Sequence, residues 1–148
     1  IGFIEKSQSH YNELINQYEK DGYINYLGYQ SDVRPFIKEA SCLIQPSHGG
    51  EGMSNVLLET AATGRALIAS DIPGCRETID EGISGYTFEK KNTLDLVKKI
   101  ENFINLPNIE RSKMGLMSRR RMEENFDRSI VVKTYEKHIA KICDEAIL

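Results

Sequence analysis

Three shortages narrow the classes to which this chain can belong: few cysteines, little net charge and no long apolar run. Cys42, Cys75 and Cys143 are three in number and far apart, so they form neither a disulfide framework nor a metal-ligand spacing. Cys42 sits in an apolar run and reads as a small buried hydrophobe. Such usage fits a reducing, cytoplasmic setting. No apolar stretch approaches the roughly 20 residues of a membrane-spanning helix, and no signal peptide is visible. A formal charge of −3 gives no broad electrostatic reason to bind nucleic acid. The basic cluster Arg119-Arg120-Arg121, with Arg111 and Lys113 nearby, is followed by Glu123 and Glu124 and reads as a solvated helix face. There is no internal repeat and no low-complexity segment.

What is present is an alternation of short β-type runs with helix-period segments. At 148 residues the chain fits one domain with a real core. Ile1 to Ile4 reads as the end of a strand already under way, with no initiator Met, so a fragment of a longer protein is expected. A helix follows over Ser9 to Lys20, then a strand at Ile24 to Leu27. Ser31 or Asp32 is placed to cap a short helix with Phe36 and Ile37 inward. Cys42 to Gln45 and the uniformly apolar Ala66 to Ser70 are expected strands, the second buried on both faces. Between them lies a helix with Val56, Leu57 and Ala61 turned to the sheet, closed by Gly64. A short helix at Cys75 to Glu81, a strand at Tyr86 to Phe88 and three helices complete the chain. The first of these begins near Thr93, and the others cover about Glu110 to Glu124 and Asp127 to Ala146. Strands alternating with helices imply an α/β fold, a Rossmann-like parallel sheet flanked by helices.

The richest stretch is Glu51-Gly-Met-Ser-Asn-Val-Leu-Leu-Glu59, preceded by Ser47-His48-Gly49-Gly50. It reads as strand, Gly-rich loop and helix, with Glu51 before the helix and Glu59 about two turns into it. Ligands of open α/β sheets bind beyond the carboxyl ends of the strands. A helix N-terminus there offers free N–H groups and partial positive charge to a phosphate. Carboxylates beside it would accept hydrogen bonds from sugar hydroxyls, so the spacing suggests recognition of a sugar nucleotide. Glu51, among Gly50 and Gly52, would repel a phosphate and makes sense facing the sugar. The N–H groups of Met53, Ser54 and Asn55 would serve hexose hydroxyls and the diphosphate, although Ser54 also suits a simple N-cap. For Glu59 two readings stay open: an exposed helix residue offset by Arg65, or a bidentate acceptor for a ribose diol. His48 lacks an evident orienting carboxylate and reads as a binding or surface residue. Ser47 lies in the same loop, and Tyr29, after a strand end, is a candidate border of the nucleobase. Arg76-Glu77 can reach the cleft or form a local capping pair.

Several landmarks occur in order: Tyr26-Leu27-Gly28-Tyr29, Asp32-Val33-Arg34-Pro35, Gln45-Pro46-Ser47, Glu51-x7-Glu59, Gly64-Arg65, Asp71-Ile72-Pro73-Gly74-Cys75-Arg76-Glu77, Gly82-Ile83-Ser84-Gly85 and Phe126-Asp127. Together they resemble the C-terminal domain of family 4 retaining glycosyltransferases with the GT-B fold. The resemblance covers most of the chain. It implies a nucleotide-sugar-binding Rossmann-like domain over residues 1–148, the C-terminal half of a GT-B fold truncated at its N-terminus, with C-terminal helices from about 110. Glu59 would hold ribose hydroxyls. Glu51 would touch the donor sugar and stabilise positive charge near the anomeric carbon, and Gly50, Gly52 and Met53 to Asn55 would line the donor site. The donor would be a nucleoside-diphosphate hexose, with UDP expected, and no metal or other cofactor is expected. The Asp-x-Asp motif of a metal-dependent transferase fold is absent.

The resemblance also carries departures. Many members have Gly-Phe-Gly where this chain has Gly52-Met53-Ser54, and Ser54 would leave less room near the phosphate. The basic pair that holds the diphosphate and the whole acceptor domain would lie upstream of residue 1. The isolated chain is therefore expected to be inactive. A glycan or lipid-linked acceptor in surface-polysaccharide synthesis is the family habit, with membrane contact at the inner face only through the missing domain. Rival readings are a GT-B-like sugar-nucleotide epimerase or phosphorylase, and a non-catalytic nucleotide-binding module. A phosphorylase would need a pyridoxal-binding Lys, for which no candidate stands out.

Overall fold

The computed structural model describes residues 1–148 except Phe3, Glu5, Gly50, Glu51 and 146–148. Among the described residues there are two compact units, 1–35 and 36–148. The first unit holds a short 3-10 turn, Lys6–Gln8, and helix α1, Tyr11–Lys20. The segment Ile24 to Leu27, expected as a strand, carries no ladder among the described residues. Its polar groups have other partners: the Tyr26 N–H donates to Glu19 Oε1 at 2.7 Å, and the Tyr26 hydroxyl to Gly2 O at 3.0 Å. The Gly2 N–H donates to Gly28 O at 2.8 Å, just past this run. An apolar run becomes a strand only when a partner takes its amides. Asp32 accepts the Arg34 N–H at 3.0 Å and pairs with its guanidinium, which holds the exposed Asp32 carboxyl down at about 2. Helix α2, Arg34–Glu39, starts there.

The second unit is built on a parallel sheet of β1 (Cys42–Gln45), β2 (Ala66–Ser70) and β3 (Gly85–Phe88), in that order. Leu43 lies opposite Leu67, and Ala69 opposite Thr87. Helix α3, Asn55–Ala62, crosses from β1 to β2, and α4 (Thr93–Ile104), α5 (Asn108–Asn125) and α6 (Arg128–Glu145) follow β3. Every residue of β2 is buried, as its continuous apolar run requires. Its side chains alternate between two cores. Leu67 and Ala69 pack with Leu57 and Ala61 of α3 and Met122 of α5. Ala66 and Ile68 pack with Phe88, Phe103 of α4 and Met114 of α5. Burying one such Leu or Ile contributes about 1.5–3 kcal/mol.

Two glycines make this packing possible. A Cβ on Gly85 would stand 2.1 Å from Leu67 O, and one on Gly115 would stand 2.2 Å from Gly64 O. Gly64 itself takes φ +77 just after the α3 C-cap, where a left-handed residue ends a helix. Several local expectations shift. Val56 is 36% exposed while Leu57, Thr60 and Ala61 turn inward. α4 begins at Thr93 and is capped by Asn92, which accepts the Asp95 N–H at 3.0 Å. Phe103 is the buried anchor of α4, while Ile104 is exposed. The helix expected from Cys75 to Glu81 is only a 3-10 turn, Arg76–Thr78.

The basic cluster on α5 divides as its charges dictate. Arg119 and Arg120 pair with Glu123 and Glu124 one turn on, while Arg121 turns to Asp80. At the β3 edge, burial pushes the Glu81 carboxyl up, but the Lys99 ammonium and the Thr87 N–H and hydroxyl outweigh it and hold it below the usual carboxylate range. Among the described residues, no helix is long and apolar enough to cross a membrane.

Candidate functional site

The carboxyl ends of β1 and β2 open into loops 46–54 and 71–75, and the N-terminus of α3 faces this end of the sheet. In α3 the first intrahelical bond is Leu58 N–H to Ser54 O at 3.1 Å. The amides of Asn55, Val56 and Leu57 therefore precede the helical ladder, the group that gives a helix its anion-accepting end. Ser54 occupies the N-cap with ψ 107 but makes no side-chain capping bond. Its hydroxyl donates to Gln45 Oε1 at 2.9 Å and its N–H to Gly74 O at 3.1 Å. Both of its donor groups are thus engaged within the fold. At 4% exposure, the Ser54 side chain is buried.

The neighbours of Ser54 face outward. His48, Gly49, Gly52, Met53 and Asn55 are exposed, and Ser47 is half-buried, accepting from Gln45 Nε2 at 3.2 Å. Gly49 takes φ +142, a conformation that favours glycine. Gly50 and Glu51 lie outside the described residues. Tyr29, the candidate nucleobase neighbour, belongs to the first unit and is 73% exposed there.

Glu59 stands closer to the helix start than its spacing suggested. Because α3 begins at Asn55, Glu59 is just over one turn in, about 6 Å along the axis. Its side chain is exposed on the face that also carries Asn55 and Val56. The offsetting cation expected for it is engaged elsewhere. Arg65 donates from Nε to Ile37 O at 3.3 Å, with Lys38 O as a further acceptor. Among the described residues the Glu59 carboxylate has no ion-pair partner. An uncommitted carboxylate beside open helix amides offers acceptors for a diol next to donors for a phosphate.

The turn after β2 frames the other side. Arg76 pairs with Asp71 at 3.1 Å, and Glu77 reaches back so that its Oε2 accepts the Gly74 N–H at 2.7 Å. Both side chains make local contacts, with Asp71 and Gly74 and not with each other. Gln45 and Glu77 were not singled out individually as site residues. The Gly74-x-x-Glu77 spacing is the signal that points to Glu77, and the Gln45-Pro46-Ser47 landmark the one that points to Gln45. A neighbouring cavity of about 430 Å³ is lined by Asp71, Glu89 and Asp95 among others, a carboxylate-rich wall unsuited to a diphosphate. No group of three or more potential ligands able to hold a metal ion occurs among the described residues.

Residues 1–105 match the family of glycosyl transferases group 1, and the chain belongs to that family. It is 28% identical over 122 residues to the N,N'-diacetylbacillosaminyl-diphospho-undecaprenol alpha-1,3-N-acetylgalactosaminyltransferase of Campylobacter jejuni, covering 82% of this chain and 31% of that one. It is 29% identical over 106 residues to the capsular polysaccharide biosynthesis glycosyltransferase CapM of Staphylococcus aureus, covering 72% of this chain and 27% of the relative. The chain thus spans less than a third of the length of these curated relatives. Among solved structures, Anabaena Alr3699/HepE in complex with UDP superposes with a TM-score of 0.82 at 17% identity, covering 95% of this chain and 39% of that one. The fold is the α/β, Rossmann-like fold of GT-B glycosyltransferases.

Proposed function

We propose that this chain is the donor-binding part of a retaining hexosyltransferase. The full protein would move a hexose from a nucleoside-diphosphate sugar, with UDP as the nucleotide, to a hydroxyl of a glycan or lipid-linked acceptor in surface-polysaccharide synthesis. The observation that carries the reading is Glu59: an exposed, uncommitted carboxylate one turn behind the open amides of α3, at the carboxyl end of parallel strands. Family membership supports it, as do the names of two relatives, one a sugar transferase onto a diphospho-lipid and one a capsule-synthesis enzyme.

In this reading Glu59 accepts two ribose hydroxyls, and the amides at the start of α3, with Gly52 and Met53, hold the diphosphate and hexose. Glu51 would sit near the anomeric carbon, where a carboxylate favours the positive charge that develops as the diphosphate leaves. Ser47 and His48 border the nucleobase side of the proposal. The reaction would need no resident metal, so turnover should survive a chelator.

Titration with UDP, GDP and ADP, followed through backbone amide shifts, tests the donor site. UDP should move Gly52 to Glu59 at lower concentration than the other two. Glu59→Ala should weaken UDP binding about tenfold to a hundredfold, the loss of charged hydrogen bonds to a diol. Unchanged UDP affinity in that variant would remove Glu59 from the site, and a preference for GDP or ADP would reassign the nucleotide.

A further inference from the structure

A continuous path of hydrogen bonds runs beneath the loop that carries the candidate donor site. It starts on α5, where Arg121 donates from Nε and Nη2 to Glu77 O at 3.1 and 2.8 Å. Glu77 Oε2 accepts the Gly74 N–H at 2.7 Å, and Gly74 O accepts the Ser54 N–H at 3.1 Å. Ser54 then donates to Gln45 Oε1, and Gln45 Nε2 to Ser47 Oγ. Gly74 is the narrow point of this path. Its two flanking peptide groups are held from opposite sides, and its φ of +88 is one that other residues rarely adopt.

We propose that Glu77 is a positioning residue for the donor site, acting through the Gly74 turn and the Ser54 N–H on the first turn of α3. The proposal rests on reading that turn as part of a nucleotide-sugar site. The Glu77 carboxylate reaches back three residues to the Gly74 N–H and so ties down the backbone just before the 3-10 turn. Fixing Gly74 O takes up the Ser54 N–H and leaves the next three amides, those of Asn55 to Leu57, as the open donors. Glu77 is exposed, so its bond adds little to global stability. Its effect lies in orientation, and oriented donors lose strength steeply when displaced by about 1 Å. Through the Gly74 carbonyl, which accepts the Ser54 N–H, the turn that Glu77 fixes is joined to the loop after β1, the two segments between which a diphosphate would sit.

Two variants separate reach from charge. Glu77→Gln keeps an oxygen that can accept the Gly74 N–H but loses the charge, whereas Glu77→Asp keeps the charge and falls one methylene short. UDP titration of the wild-type protein and both variants, with the Gly74 and Ser54 amide shifts recorded before ligand is added, decides the matter. The expected result is that Glu77→Asp displaces both amide shifts and weakens UDP about tenfold, while Glu77→Gln stays within about twofold of wild type. Equal UDP affinity in wild type and Glu77→Asp, or a loss in Glu77→Gln that matches the loss in Glu77→Asp, overturns the positioning role. A wild-type protein that binds none of UDP, GDP and ADP overturns the donor-site reading itself, and the proposal with it.

Discussion

Helices α5 and α6 have the same length, 18 residues, and lie next to each other in the chain, yet they are used in opposite ways. α5 is the more polar, and it buries Met114, Gly115, Ser118 and Met122. α6 carries Val131, Val132, Tyr135, Ile139 and Ile142 at helical spacing, and every one of these is exposed. The apolar stripe of α6 meets no cover among the described residues. α5 earns its place through close approach: Gly115 lies against Gly64, and Met114 and Met122 reach into the two cores on either side of the sheet. An amphipathic pattern reports that a helix is able to bury a face. Burial itself depends on a partner surface that fits.

That contrast can be broken by substitution. The largest effect should come from Gly115→Ala, because the added methyl would overlap the Gly64 carbonyl and force α5 away from α3. A loss of about 3 kcal/mol, or about 10 °C in Tm, is expected, and a thermal melt reads it. Met122→Ala should cost about 2–3 kcal/mol by opening a cavity beside Leu67 and Ala69. On α6, Ile139→Ala is expected to stay within about 0.5 kcal/mol of wild type in the same melts. A cost for Ile139→Ala equal to that of Met122→Ala would show that α6 is packed and would erase the difference between the helices.

The smallest effect is one of rate. Cys143 on α6 is exposed, whereas Cys75 is buried and burial pushes the half-buried Cys42 thiol up, only partly opposed by Arg111. A raised thiol holds less thiolate at a given pH, so Cys143 should react first with a maleimide at pH 7.5 and Cys42 more slowly. Faster modification of Cys42 would contradict its place in the sheet. Mass spectrometry of the labelled peptides identifies the order.

Much of the second unit was legible because its signals are local. The apolar run of Ala66 to Ser70 permits only a strand buried on both faces, and Gly64 marks the end of α3 through its left-handed backbone. The first unit is less legible. Ile24 to Leu27 has the composition of a strand, but Glu19 takes the Tyr26 amide, and no property of the run itself announces that. Within the candidate site, the Gly-rich loop and the position of Glu59 on the following helix were visible as spacing. Glu59's distance into the helix was not, since it depended on Ser54 becoming the N-cap.

The sequence by itself determined the parallel αβ alternation, the loop-to-helix turn and the family, because continuous apolar runs, glycines and motif spacing act over a few residues. Only the tertiary structure decided which groups in that turn remain open to a ligand. Ser54 spends its hydroxyl on Gln45 and its amide on Gly74, and Arg65 spends its guanidinium on the end of α2, leaving Glu59 uncommitted. These partners are distant in the chain, and a polar group's availability is settled by whichever acceptor the fold brings within about 3 Å.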